Sequence, residues 1–335
     1  MKRLLRLAVP VAISLAFIAW TLHGRDVPGA FRALRAADYR WLVPYVFLLL
    51  ALHLFRTLRF GVMVESQVRL GFLELNRVSA LGTMALALLP FRMGEVARPA
   101  LLAGRAPFAG VVATVVAERV LDAVVMAVVL LGVLFAAGSG TGAAAFAGWM
   151  VLGLFGVAWL ALWAAARRPE LLRRPIVVLL GRVAPGLARK LGGMVDAFAR
   201  GLAVVPGRRG KLLVALHTAG YWGANGLSMA VLARVFGIPL GIGEGFGVLG
   251  VLVVALLVPA APGMVGTFQA GALLGLGLFV PPEVVAGEGL AYANVMWLLH
   301  FALQVGVGLP FLGAVRWEGL RALRLEAARM APPRR

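Results

Sequence analysis

Seven ionisable side chains lie between Leu88 and Asp122 in otherwise apolar sequence: Arg92, Glu95, Arg98, Arg105, Glu118, Arg119 and Asp122. A charge in hydrocarbon costs at least ~2.5–3.5 kcal/mol on the mildest insertion scale, so each needs a partner, water or a ligand. Arginines offer forked donors to phosphate oxygens. Carboxylates hold those guanidiniums while a site is empty, and release them or take a proton when an anion arrives. Arg92, Arg98 and Arg119 with Glu95, Glu118 and Asp122 thus describe a candidate site for an anionic group such as a phosphate. The competing reading is a structural lattice of ion pairs, because pairing in apolar surroundings is cheaper than isolation. Glu118 and Asp122 are four apart and share a helix face, with Arg119 three residues before Asp122.

The elements that must position these groups read as membrane. Hydrophobic residues make up 61% of the 335-residue chain and charged ones 14%, where a soluble domain runs near half and a quarter. Mean hydropathy is +0.93. Forty-two glycines and eighteen prolines at that apolar content fit broken or closely packed membrane helices rather than disorder. The absence of cysteine removes disulfides, thiolate metal sites and thiol catalysis. His23, His53, His217 and His300 are too scattered for a metal pair, so neither metal nor cofactor is expected. The net charge of +19 comes from basic residues at both ends and in one long loop, a positive-inside pattern facing anionic lipid and not a nucleic-acid site.

In chain order, residues up to Leu22 make a first span, too long for a signal peptide core and without a small-x-small cleavage site before His23. Residues 24–40 form a short loop with an amphipathic turn. Trp41–Phe60 is a second span in which Arg56 and Arg59 read as snorkelling to the interface. Asn76–Leu89 is too short to cross a ~30 Å core, and Pro90 stops it before FRMGEVARPALLAG resumes. Long spans follow at Phe108–Ala137 and Ala143–Ala166. Residues 167–211 carry ten basic residues through Arg209, plus Lys211, against Glu170 and Asp196, with amphipathic helical patterning over 175–205. Leu212–Phe236 and 288–314 are the remaining spans. Between them Pro259, Pro262, Gly263 and Gly266 interrupt a second broken region. His53, Tyr221, Asn225, Asn294 and His300 read as satisfied polar contacts between helices, and Trp20, Trp41 and Trp317 as interfacial anchors.

The basic N-terminus, 167–211 loop and C-terminal tail belong on the cytoplasmic side, which requires even numbers of crossings between them. Six full spans and two re-entrant hairpins close that count. PFRMGEVARPALL from Pro90 also aligns without gaps to PGMVGTFQAGALL from Pro262, at an offset of 172 with five of thirteen positions identical. The expected fold is an all-α polytopic integral membrane protein, one domain over 1–335. A first repeat spans 41–138 with hairpin 76–104, and a second spans 212–314 with hairpin 246–280, inverted relative to each other. Pro262, Gly263, Gly266 and Gln269 then face Arg92, Gly94, Glu95 and Arg98 across the site. Backbone amides after Gly94, Gly263 and Gly266 are further anion donors.

Arg92-x-Gly94-Glu95-x-x-Arg98, then Glu118-Arg119-x-x-Asp122, then Pro259-x-x-Pro262-Gly263-x-x-Gly266 resembles the lysylphosphatidylglycerol synthase transmembrane (flippase-domain) family over roughly residues 5–315. That family includes the membrane half of the bacterial multiple peptide resistance factor and many stand-alone proteins. The resemblance implies an eight-helix-type membrane domain and lipid translocation between leaflets. This chain departs in having Gln269 where the family's last motif usually ends in an acidic residue. Without an acyltransferase-like domain in this sequence, aminoacyl transfer to a lipid is not expected of this chain alone, and the expectation is not an enzyme.

The function expected is a flippase or transporter of an anionic phospholipid or polyprenyl-phosphate lipid in the bacterial inner membrane. The alternative is a non-transporting subunit that presents lipid to, or assembles with, a lipid-modifying enzyme. Expected partners are membrane lipids, and a second copy or such an enzyme.

Overall fold

The protein is described by a computed structural model covering residues 14–89, 94–138, 142–168, 207–258 and 261–314, with Ala12 and scattered positions in 169–206. Arg92, Pro259, Trp317 and most of the basic segment expected as a surface helix lie outside the described residues.

The described residues are helical, with no strand among them; one isolated bridge joins Ala103 and Ala106. Helix α1 (residues 14–22) leads to α2 (Val27–Ala36), the amphipathic turn expected in this loop. Asp26 caps α2 by accepting from the Gly29 amide at 2.8 Å. The long helices are α3 (Leu42–Val64), α6 (Phe108–Ala136), α7 (Ala143–Arg167), α8 (Gly207–Val235) and α12 (Glu288–Gly306). Among the described residues, three stretches are long and apolar enough to cross a membrane: Tyr39–Val64, Phe108–Ala136 and Glu288–Gly313. The 29 residues of α6 reach ~43 Å at 1.5 Å per residue, well beyond a ~30 Å core. Helix α8 is equally long, but His217, Thr218, Asn225 and Ser228 dilute its hydropathy.

Two broken stretches separate these helices. In the first, α4 (Phe72–Leu88) ends in extended backbone at Leu89, and a short turn at 94–96 leads into α5 (Ala97–Leu101). Its first arm begins one turn before the expected Asn76, because Asn76 is already engaged inside the helix, bonded to His53 Nε2 at 3.0 Å. In the second, α9 (Ile242–Ala255) stops before a turn at Pro262–Met264, and α10 (Thr267–Leu276) follows. That turn needs left-handed backbone at Gly263 (φ +74°), Met264 (φ +54°) and Gly266 (φ +85°), which glycine adopts without a Cβ penalty. The short α11 (Pro282–Ala286) links α10 to α12.

A shift of 172 residues carries α3 into α8, α4 onto α9, α5 into α10 and α6 over all of α12, so these helices recur at the offset read from the two proline motifs. Helix α3 packs along α8, α6 along α7, and α9 against α10, α8 and α6. The largest apolar core gathers α8, α9, α10 and α12, with Tyr45, Leu49 and Met126 reaching in from α3 and α6. Helix α4 touches both α12 and the Pro262–Met264 turn, so the two broken stretches meet.

Candidate functional site

Arg59 of α3 is 0% exposed and sits at the centre of the charge cluster. Its guanidinium donates to both oxygens of Asp122, at 2.6 and 3.0 Å, and to Glu118 Oε1 at 2.8 Å. The second Glu118 oxygen accepts from Arg98 Nη1 at 2.7 Å. Asp122 also accepts from the indole N–H of Trp222 at 3.0 Å. Glu118 and Asp122 reach one guanidinium because they stand four apart on α6, as their spacing implied. Two aromatic rings close the lattice: Tyr221 lies 5.1 Å from the Arg59 guanidinium and Phe60 lies 4.6 Å from that of Arg98. Gly82 of α4 leaves the path for the Arg98 stem; a Cβ there would stand 2.5 Å from Arg98 Cγ.

A second group of charges lies in front of this lattice and lines a cavity of about 240 Å³. Glu95 approaches Arg119 at 3.0 Å and Arg98 at 3.9 Å, while Arg119 Nη1 lies 3.5 Å from Asp122. Arg56, one turn before Arg59, also lines the cavity, and makes no hydrogen bond or ion pair among the described residues. Arg98 Nη2 and Arg119 Nη2 are buried without an acceptor there. Four described arginines thus face three carboxylates, a surplus of one positive charge.

The rest of the wall comes from both broken stretches and from α7, α8 and α12. Leu86 and Ala87 of α4, Leu257, Gly263 and Met264 of the second broken stretch, and Tyr221, Asn225, Trp297, His300 and Gln304 of α8 and α12 line it. Trp297 donates to Gly263 O at 2.8 Å and stacks on Phe301, fixing the second turn to α12. Helix α1 braces the same turn: Ser14 Oγ accepts from the Ala261 amide at 2.9 Å.

Of the residues expected at the site, Glu95, Arg119, Asp122 and Gly263 reach the cavity. Arg98 and Glu118 lie behind its wall, inside the lattice. Gly94 does not face the cavity; its Cα lies against the Leu86 backbone, where a side chain would collide. Pro262, Gly266 and Gln269 also stand off the wall. Gln269 Oε1 accepts from the Gly266 amide at 2.8 Å, so this amide is committed to capping α10 and not open to an anion. Arg92 lies outside the described residues, and Arg105 pairs with Glu74 on the surface.

The expectation of snorkelling fails for Arg59, and Arg56 turns to the cavity instead. The second span was expected to end at Phe60, but α3 runs on to Val64, which places both arginines inside. The apolar Gly61–Val64 stretch was the available signal. His53 makes the interhelical bond expected of it, to Asn76, whereas Asn294 bonds within its own helix, to Leu290 O, and Asn225 Oδ1 has no donor among the described residues. His300 Nδ1 meets Tyr45 Oη at 3.0 Å, yet His300 also lines the cavity.

The description "Lysylphosphatidylglycerol synthase TM region" belongs to a family model that matches residues 7–308. No curated protein and no solved structure matches.

Proposed function

Because the chain belongs to the lysylphosphatidylglycerol synthase transmembrane family, we propose that it moves an anionic lipid between leaflets, with the phosphate held at Arg56 and Arg119. Membership supports a lipid-related role in a membrane; translocation is the further step. In this reading the helices make six crossings, and the two broken stretches are re-entrant hairpins inserted from opposite faces. The N-terminus, the basic 167–211 segment and the C-terminus lie on the cytoplasmic side of a bacterial inner membrane.

One observation carries the proposal: a buried arginine, Arg56, opens into the cavity with no hydrogen bond or ion pair among the described residues, and it supplies the surplus positive charge of an otherwise balanced cluster. An uncompensated buried cation is costly. A structural lattice alone gives no reason to retain it, whereas a phosphate would neutralise the surplus and accept from the orphaned Arg119 and Arg56 donors. The neighbouring apolar wall at Leu86, Ala87, Leu256 and Leu257 suits the glycerol and first methylenes of a lipid better than a free ion.

The test is the rate at which purified protein in vesicles carries a labelled anionic lipid across the bilayer, read by quenching of the outer leaflet. Arg56→Gln should slow it at least about tenfold, the scale of one charge-assisted hydrogen bond. Wild-type rates in that variant would overturn the proposal. Lipid bound but never moved by the wild type would favour a subunit that presents lipid to a partner enzyme.

A further inference from the structure

We infer that His300 is a ligand-binding residue of the cavity, and that Tyr45 positions it. Tyr45 holds the imidazole in the tautomer that offers an Nε2–H to the cavity, and this N–H donates to an ester carbonyl of the lipid. The inference rests on the reading that a lipid phosphate occupies the Arg56 side.

His300 stands on α12 between Trp297 and Gln304, and all three line the cavity, as residues three and four apart on one helix face do. Its Nδ1 lies 3.0 Å from two oxygens, Tyr45 Oη of α3 and Met296 O one turn back. A neutral imidazole carries its proton on one nitrogen, so Nδ1 either donates or accepts here. Tyr45 decides between the two. It is 0% exposed, and His300 Nδ1 is the hydrogen-bond partner its hydroxyl has among the described residues. A buried hydroxyl without an acceptor is costly. Met296 O has no such need, because inside α12 it accepts the backbone amide of His300 in any case. The arrangement that satisfies both has Tyr45 donating to Nδ1, and the imidazole proton then sits on Nε2. Phe268 and Tyr45 flank the ring, with centroids 5.6 and 6.2 Å away, and fix its plane. Nε2 itself has no hydrogen bond among the described residues.

The acceptor that suits this N–H is uncharged. Charge on the ligand is met by Arg56 and Arg119, and a guanidinium outcompetes a neutral N–H for phosphate oxygens. Near His300 on α12, Gln304 adds a second polar group without charge. In a glycerolipid the first uncharged acceptors beyond the phosphate are the ester carbonyls that join the chains to glycerol. A cavity of about 240 Å³ has room for a phosphate and this linker, not for whole chains. An ester on the headgroup would present the same carbonyl chemistry.

The first measurement needs no lipid. Nitrogen NMR of the full chain in detergent, with isotopically labelled histidine, should place the one-bond proton coupling of His300 on Nε2; His300→Gln identifies its signal. Tyr45→Phe should move that proton to Nδ1, where Met296 O accepts it, a change that a mere packing role for Tyr45 would not produce. The second measurement reads bound lipid by native mass spectrometry from equal mixtures of three lipids with a phosphoglycerol headgroup: diacyl, dialkyl ether, and dialkyl ether with an acetylated headgroup. An ester-bearing lipid should be retained about fivefold over the plain ether, the scale of one hydrogen bond. Which of the two leads assigns the carbonyl to the chain linkage or to the headgroup. His300→Leu and Tyr45→Phe should bring that ratio close to one, and His300→Gln, which keeps an N–H, should retain part of it. Arg56→Gln should weaken all three lipids alike and leave the ratio unchanged. A wild-type proton on Nδ1, equal retention of ester and ether lipids by the wild type, or an unaltered ratio in His300→Leu would overturn the inference. Wild-type protein that binds none of the three would overturn the phosphate reading along with it.

Discussion

The sealed lattice of Arg59, Arg98 and Glu118 and the cavity-facing group of Arg56, Glu95 and Arg119 use the same residue types within one charge cluster. In the lattice every carboxylate oxygen is matched to a guanidinium N–H at hydrogen-bonding distance, and Arg59 and Glu118 have no exposed surface. At the cavity the pairs are longer or incomplete, and Arg56 has no partner among the described residues. Structural and ligand-binding readings of such a cluster are therefore not rivals here. They apply to different halves of it. The lattice fastens α3, α5 and α6 together; the looser group keeps its donors available.

Substitutions can break or sharpen this division, and thermal or denaturant unfolding in detergent is the common scale. Glu118→Gln should be the most damaging, about 3–5 kcal/mol, because it strips the shared counter-ion from two buried arginines. Restoring much of that stability by adding Arg98→Gln would confirm that the loss is uncompensated charge. Gly94→Ala comes next, at about 1–3 kcal/mol, since its Cβ would overlap the Leu86 backbone and push the Glu95 turn away from α4. Trp297→Phe should cost about 1 kcal/mol for the bond to Gly263 O. Arg56→Gln should be at least as stable as wild type, because it removes an uncompensated buried cation, while losing lipid movement. A stability loss in Arg56→Gln as large as in Glu118→Gln would erase the distinction between the two groups.

Much of this arrangement was legible in the chain. The four-residue spacing of Glu118 and Asp122 fixed their common face, and Pro90 marked the end of α4, Pro107 the start of α6 and Pro262 the turn between α9 and α10. The offset between the proline motifs carried whole helices onto one another. What escaped was the partner of those acids. Arg59 stands near the end of an apolar run, where a long side chain reaches the interface as readily as a buried acid, and only the packing of α3 on α6 and α8 decides between them. Gly82 was equally silent, because a glycine that clears the way for an arginine sixteen residues later has no local mark. Gln269 stood at a position where a ligand group was expected, and the left-handed turn at Gly266 makes it a helix cap.

The pairing of Arg59 with acids 59 and 63 residues further along has a consequence for how the chain is made. At ~5–20 residues per second, ribosomal synthesis of Glu118 and Asp122 trails that of Arg59 by about 3–12 s. Throughout that interval α3 carries Arg59, whose described counter-ions do not yet exist, and Arg56, which has no ion pair among the described residues. The helix cannot be released into bare lipid at low cost during that time. The favourable lodging of α3 therefore depends on the arrival of a later helix as well as on its own hydrophobicity.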